Sequence, residues 1–152
     1  MFIDDAYAHL YSLCLQGMGV STPNPNVSAA IYGADQKLIA DGFHNRTNSV
    51  DHAEVIALKK AGAAARGATL VVSLEPCAHL GTTPPCVDAI IEAGIAKVIY
   101  AIADPNPIAA GGAQKLKDAG IVVEHCESAD LEFVQRAWLH KEKTGRPLMV
   151  WK

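Results

Sequence analysis

Two short segments constrain the fold of this chain more than any other feature. Ala68–Leu74 and Lys97–Ala103 are apolar runs without the every-second-residue alternation of a strand that faces water on one side. Such runs predict strands covered on both faces, as in sheets with helices packed above and below. Between them, Cys86–Ala93 reads as a helix closed by Gly94. The unit is therefore strand, helix, strand, which joins parallel neighbours by a right-handed crossover.

The flanking segments extend the pattern. Asp4–Gln16 carries Ala6, Leu10, Leu13 and Cys14 on one helical stripe, ending at Gly17-Met-Gly19. Val27–Tyr32 and Lys37–Gly42, joined by Gly33-Ala-Asp-Gln36, predict a hairpin. His52–Ala65 is rich in Ala, Leu, Lys and Glu and predicts a helix with Asp51 as its N-cap. Ala113–Ala119, Ile121–His125 and Ala129–Lys143 complete the chain as helix, strand and helix. The order α β β α β α β α β α predicts an α/β fold, a three-layer α/β/α sandwich on a five-stranded mixed sheet. Ligands of such sheets lie beyond the carboxyl ends of the strands. Here those ends meet Glu75-Pro-Cys77 and Asp104-Pro-Asn-Pro107.

Composition narrows the function classes. Of 152 residues half are hydrophobic, which excludes disorder, and the length predicts one domain. The longest uninterrupted apolar run, Val98–Ala103, is six residues, far short of the roughly 20 a membrane helix needs. Thirteen Lys and Arg against 16 Asp and Glu give a net charge of −3, and no basic block offers a nucleic-acid face. Asp4 and Asp5 and the lack of a basic leader argue against a signal peptide. Four cysteines are too few for a disulfide scaffold. A cytoplasmic protein is expected, with thiols free or metal-bound. Cys14 reads as core, Cys126 as inert, Trp138 and Trp151 as packing residues, and Lys59-Lys60 as a solvated helix face.

The chemistry concentrates in His52-Ala-Glu54, Pro76-Cys77 and Cys86. Imidazole and thiolates are zinc ligands, and catalytic zinc keeps three protein ligands and an open position for water. His52, Cys77 and Cys86 supply three. Glu54, two residues after His52, is placed as a general acid/base rather than a ligand, following the H-x-E…P-C-x-x-C signature of zinc nucleobase deaminases. Both metal segments fall at helix N-termini, whose partial positive charge favours thiolate. The reaction class is hydrolytic deamination of an amidine-like carbon in a heterocycle. A structural zinc with His79 as fourth ligand is the alternative, but it leaves Glu54 without a purpose.

This chain has eight residues between the two cysteines where the general signature has two. The stretch Leu74-Glu-Pro-Cys-Ala-His-Leu-Gly-Thr-Thr-Pro-Pro-Cys86 resembles the deaminase domain of the bifunctional riboflavin-biosynthesis deaminase/reductase, whose pattern is L-E-P-C-x-H-x-G-[KR]-T-P-P-C. Thr22-Pro-Asn-Pro-Asn-Val27, Asp104-Pro-Asn-Pro107 and Ala119-Gly-Ile121 match three more of its segments. The resemblance covers about residues 5–146 and implies a cytidine-deaminase-like fold. It implies removal of the 2-amino group of 2,5-diamino-6-(5-phosphoribosylamino)pyrimidin-4-one, with Zn2+ on His52, Cys77 and Cys86 and with Glu54 as proton shuttle. It further implies that Asn24 contacts the base, that His44 lies on the substrate side, and that Asn106 faces the ribose phosphate. The chain departs from the family at three places, none of them a metal ligand, and the departures bear on the ribose-phosphate end of the site. The family's basic residue is Thr82 here, Ser28 replaces a glycine, and Thr47-Asn-Ser-Val-Asp51 replaces a glycine-containing loop. Arg46, in that loop's approach, is the candidate replacement cation.

The expected organisation is a zinc-dependent deaminase domain over residues 1–146, with residues 147–152 resembling the start of an absent reductase domain. No Gly-rich dinucleotide fingerprint occurs, so the reductase is expected elsewhere, separate or fused. The expected partner is a small pyrimidine ribonucleotide, with no nucleic acid and no membrane; the family's tendency to associate implies a homodimer. Two alternatives stay open: a deaminase of guanine, cytosine or tRNA adenosine, and an inactive zinc module.

Overall fold

A computed structural model describes residues 1–81 and 83–151. In chain order the elements are α1 (Phe2–Gly17), β1 (Ser28–Tyr32), β2 (Leu38–Phe43), α2 (Ala53–Ala61), β3 (Thr69–Leu74), α3 (Cys86–Ala93), β4 (Lys97–Ile102), α4 (Gly112–Asp118), β5 (Val122–His125) and α5 (Ala129–Thr144). The sheet order is β2-β1-β3-β4-β5. β1 runs antiparallel to β2 and β3, while β3, β4 and β5 are parallel. This is the expected five-stranded mixed sheet.

The strand residues divide between two cores. Ala29, Ile31, Leu70, Val72 and Val98 pack with Ala57 and Leu58 of α2, Val87 and Ile90 of α3 and Leu116 of α4. Ala30, Tyr32, Val71, Ile99 and Ala101 pack with Leu10 and Leu13 of α1 and Leu131, Val134 and Leu139 of α5. Burial on both faces is why the strands read as continuous apolar runs. Gly42 lets α2 settle on β2, since a Cβ there would stand 2.8 Å from the Ala53 carbonyl oxygen. That contact sets the height at which α2 begins, and so the depth of His52 and Glu54.

Three details correct the sequence reading. The helix expected over His52–Ala65 ends at Ala61, and Gly62–Ala65 is a separate 3₁₀ turn entered through Gly62 at φ 54°. Asp51 is not the N-cap: His52 occupies that position in an extended conformation with no side-chain cap, and the Asp51 carboxylate takes Lys59 instead. Trp151 is 86% exposed and packs nothing. Lys59 and Lys60 lie on a solvated face as expected, each paired with an acid, Asp51 and Asp41. No described helix is long and apolar enough to cross a membrane.

Candidate metal centre and substrate cavity

The centre forms where two helices begin beside the end of β3. His52 stands at the N-cap of α2, Cys77 lies three residues past Leu74, and Cys86 opens α3 after Pro84-Pro85. The Cys86 backbone N–H donates to Cys77 Sγ at 3.3 Å. His52 Nδ1 lies 3.2 Å from Cys86 Sγ and 3.6 Å from Cys77 Sγ. All three ligating atoms fall within 4.8 Å of one another. A tetrahedral zinc with ordinary bond lengths separates its nitrogen and sulfur ligands by about 3.5 Å, so the arrangement fits one ion. Among the described residues His79 is not a member of this group, and three protein ligands are brought together rather than four.

The ionisation of the group agrees with that fit. The hydrogen bond with Cys86 and the neighbouring His52 hold the Cys77 thiol down to about 4. Cys86, sharing its proton with Cys77 and buried, is pushed far up. The hydrogen bond to Cys77 raises His52. Cys77 is thus favoured as the thiolate, the form in which a cysteine binds a divalent cation.

Glu54 completes the floor of the cavity. It is only 3% exposed, and burial pushes its carboxyl above the ordinary range. Its Oε2 has no hydrogen-bond partner. An orphaned buried carboxylate oxygen is costly unless something else occupies it. This orphaned oxygen lies in the same cavity lining as His52 and Cys77.

Above this floor lies a cavity of about 440 Å³. Asn24, His44, Arg46, Asp104 and Asn106 are among the residues that line it. His44 Nδ1 donates to the Asp51 carbonyl at 2.9 Å, which makes Nε2 the acceptor of the Asn24 amide N–H at 3.0 Å. Burial lowers the His44 pKa and keeps this ring neutral. The Asn24 amide is thereby oriented, its carbonyl oxygen left as an acceptor for an N–H of a ring or amine. The Arg46 backbone N–H holds Val20 at 3.0 Å, and its guanidinium has no ion-pair partner among the described residues. Asp104 is raised chiefly by burial, with Glu75, Glu142 and Cys77 adding to it. Thr82 lies outside the described residues.

Trp138, Lys141 and Glu142 of α5 also line the cavity. Sequence reasoning assigned Trp138 to packing, which is half of its role, since it also rests against the core under α1 and α5. It missed Lys141 and Glu142, because no local signal says that the last turns of α5 return over the β3 end of the sheet. Cys14 is core as expected, its thiol 3.1 Å from the Ser28 hydroxyl.

Residues 4–102 match the family described as the cytidine and deoxycytidylate deaminase zinc-binding region. The chain belongs to this deaminase family. Its zinc-binding character agrees with the His-Cys-Cys group, and its fold with the mixed sheet. Among its relatives is the riboflavin biosynthesis protein RibD of Mycobacterium tuberculosis, 43% identical over 152 residues, covering 99% of this chain and 44% of that protein. Among solved structures, Acinetobacter baumannii RibD superposes with a TM-score of 0.87 at 44% identity, covering 97% of this chain and 42% of that one. The Thermotoga maritima diaminohydroxyphosphoribosylaminopyrimidine deaminase/5-amino-6-(5-phosphoribosylamino)uracil reductase gives 0.89 at 35% identity, covering 96% and 42%. The deaminase chain described here thus spans less than half the length of these relatives.

Proposed function

We propose that the chain is the deaminase of a riboflavin pathway, a hydrolase that removes the 2-amino group of 2,5-diamino-6-(5-phosphoribosylamino)pyrimidin-4-one. The observation that carries this reading is Glu54, a buried carboxylate with one unpartnered oxygen, lining a cavity together with a three-ligand zinc group. The similarity to the Thermotoga maritima diaminohydroxyphosphoribosylaminopyrimidine deaminase and to the riboflavin biosynthesis proteins supports the substrate class.

His52, Cys77 and Cys86 hold the zinc. Zinc in such a site acts as a Lewis acid that makes water a nucleophile at neutral pH. Glu54 takes one proton from the attacking water as its oxygen bonds to C2 and passes it to the ring nitrogen. It then takes the remaining proton from the new hydroxyl and passes it to the amine, so that the C–N bond breaks, the carbonyl forms and ammonia leaves. Its raised pKa matches this traffic, because a carboxyl that holds a proton readily also returns one. The neutral His44 fixes Asn24 so that its carbonyl oxygen meets the substrate's N–H edge. Asn106, Arg46 and Thr82 serve the phosphoribosyl end.

In this reading residues 1–146 are the deaminase unit and residues 147–152 lead towards a reductase domain, carried on the same or another polypeptide. The site of action is the cytoplasm, and the enzyme works as a homodimer on a free ribonucleotide. The test is ammonia release from the diaminopyrimidine ribonucleotide, compared with guanine and cytidine under identical conditions. Turnover of the ribonucleotide at least a hundredfold above the other two is expected. Preference for guanine or cytidine overturns the pathway assignment, and release from none of the three by zinc-loaded protein overturns the enzymatic one.

A further inference from the structure

Glu75 lies between Leu74 and the cysteine loop, and nothing in the chemistry above uses it. It is 8% exposed and lines the cavity. Its backbone N–H continues the β3–β4 ladder to the Ile102 carbonyl at 2.8 Å. Its carboxylate reaches the segment that follows β4. Oε2 accepts the Asp104 N–H at 3.3 Å, and Oε1 accepts those of Gly111 at 3.2 Å and Ala113 at 3.0 Å. Hydrogen bonds from N–H groups to an ionised acceptor are about twice as strong as neutral ones. One side chain therefore ties down both ends of the stretch 104–113.

The ties continue inward. The Asp104 carboxylate accepts the Asn106 N–H at 2.8 Å, and Asn106 Oδ1 accepts the Ile108 N–H at 3.0 Å. With its oxygen so engaged, the Asn106 amide has its NH2 left for the cavity that it lines. The same stretch is locked to the cysteine loop from the other side. The Ala78 N–H donates to the Ala109 carbonyl at 3.2 Å, and Lys115 Nζ donates to the Ala78 carbonyl at 2.8 Å. A Cβ on Gly112 would stand 1.7 Å from the Pro76 carbonyl oxygen.

We propose that Glu75 is a positioning residue for substrate selection, fixing the 104–113 segment so that Asn106 presents its NH2 to the phosphoribosyl end of the substrate. The proposal rests on the ribonucleotide reading above. It separates two tasks in one cavity: Glu54 and the zinc group serve the reacting carbon, and Glu75 acts only through Asn106.

Glu75→Gln is the decisive variant. Glutamine keeps the volume and one acceptor but sets an NH2 against one of the N–H partners. The zinc-loaded full chain is assayed with the ribonucleotide and with 2,5,6-triaminopyrimidin-4-one, the same base without ribose phosphate. Zinc content per chain and kcat should stay within about twofold of the parent. KM for the ribonucleotide should rise about tenfold while KM for the free base holds, the pattern of lost binding away from the reacting centre. Asn106→Ala should add little to a chain already carrying Glu75→Gln, since the two act as one unit. Amide exchange should quicken at Asp104, Gly111 and Ala113 and hold in α2; Glu75→Asp serves as second variant for all readouts if the first folds poorly. An unchanged ribonucleotide KM, an equal rise for both substrates, or a loss of zinc overturns the assignment. A parent chain that does not turn over the ribonucleotide overturns the substrate reading instead, and the assignment with it.

Discussion

Arg46 and Glu54 show how differently single side chains reveal their use. The place of Glu54 in the cavity is legible in the sequence because the signal is local: two residues after a histidine at a helix start, it shares the histidine's end of the helix. His52, Cys77 and Cys86 are legible for the same reason, each marked by its neighbours in the chain. Arg46 is marked only by what is missing around it. Its guanidinium lines the cavity without an ion-pair partner among the described residues, while the family's basic position is Thr82 here. Arg46→Ala should raise KM for the phosphorylated substrate about tenfold and leave kcat and zinc content nearly unchanged, as loss of a charge-assisted contact does. Steady-state kinetics with metal analysis of the same sample checks this. Glu75 was visible only as a strand end, because its three partners lie 29 to 38 residues away along the chain.

At the scale of elements, β3 and β4 were read with near-correct limits because burial on both faces writes an unbroken apolar run, while the exposed edge strands β2 and β5 were legible from the turns that bound them. The start of α2 was misread because Asp51, a good capping residue by type, is drawn off by Lys59, leaving His52 at the cap with its ring turned to the sulfurs. The junction of the cysteine loop with α4 carries a sharp expectation. Gly112→Ala pushes a methyl group into the Pro76 carbonyl, which is backbone and cannot step aside. The cost should be at least the 1–3 kcal/mol, roughly, of an overpacked core, read as a lower Tm, and zinc affinity should fall because Pro76 precedes Cys77. The neighbouring Asp104 makes the loop pH-sensitive. Burial and the nearby acids raise its carboxyl above the ordinary 3.8. The folded chain then binds this proton more tightly than the unfolded chain does. Its contribution to stability is complete below the unfolded value and is lost as pH rises through the folded one. Asp104→Asn keeps an acceptor for the Asn106 N–H and removes that loss. Its stability relative to the parent should therefore improve as pH climbs from 3.8, in thermal melts of the metal-free protein across pH; a constant difference contradicts this.

The whole molecule is a sheet whose two faces are served by different helices. α2 and α3 deliver the metal group, and α1 and α5 close the other core. α5 also reaches the cavity through Trp138 and Lys141. That convergence was not legible, since it depends on how α5 crosses the sheet and not on any residue of α5 alone. The metal group joins α2, the end of β3 and α3, so zinc binding is coupled to the packing of these three elements. Chelation should lower the Tm by several degrees, and zinc added back should restore it; metal binding free energy contributes to folding free energy in this way. An unchanged Tm on full zinc removal would mean that the three elements hold their places without the ion.

If a zinc group and a buried carboxylate divide the work of hydrolytic deamination, Glu54→Gln separates their shares. Glutamine preserves shape and leaves the three ligands untouched. Zinc stoichiometry and ammonia release from the diaminopyrimidine ribonucleotide are measured on the same preparation. The expected result is one zinc per chain with turnover reduced by roughly 10²–10⁴-fold, the range for loss of a general acid/base. Full zinc with more than a tenth of parental turnover would show that another group moves the protons and that Glu54 does not.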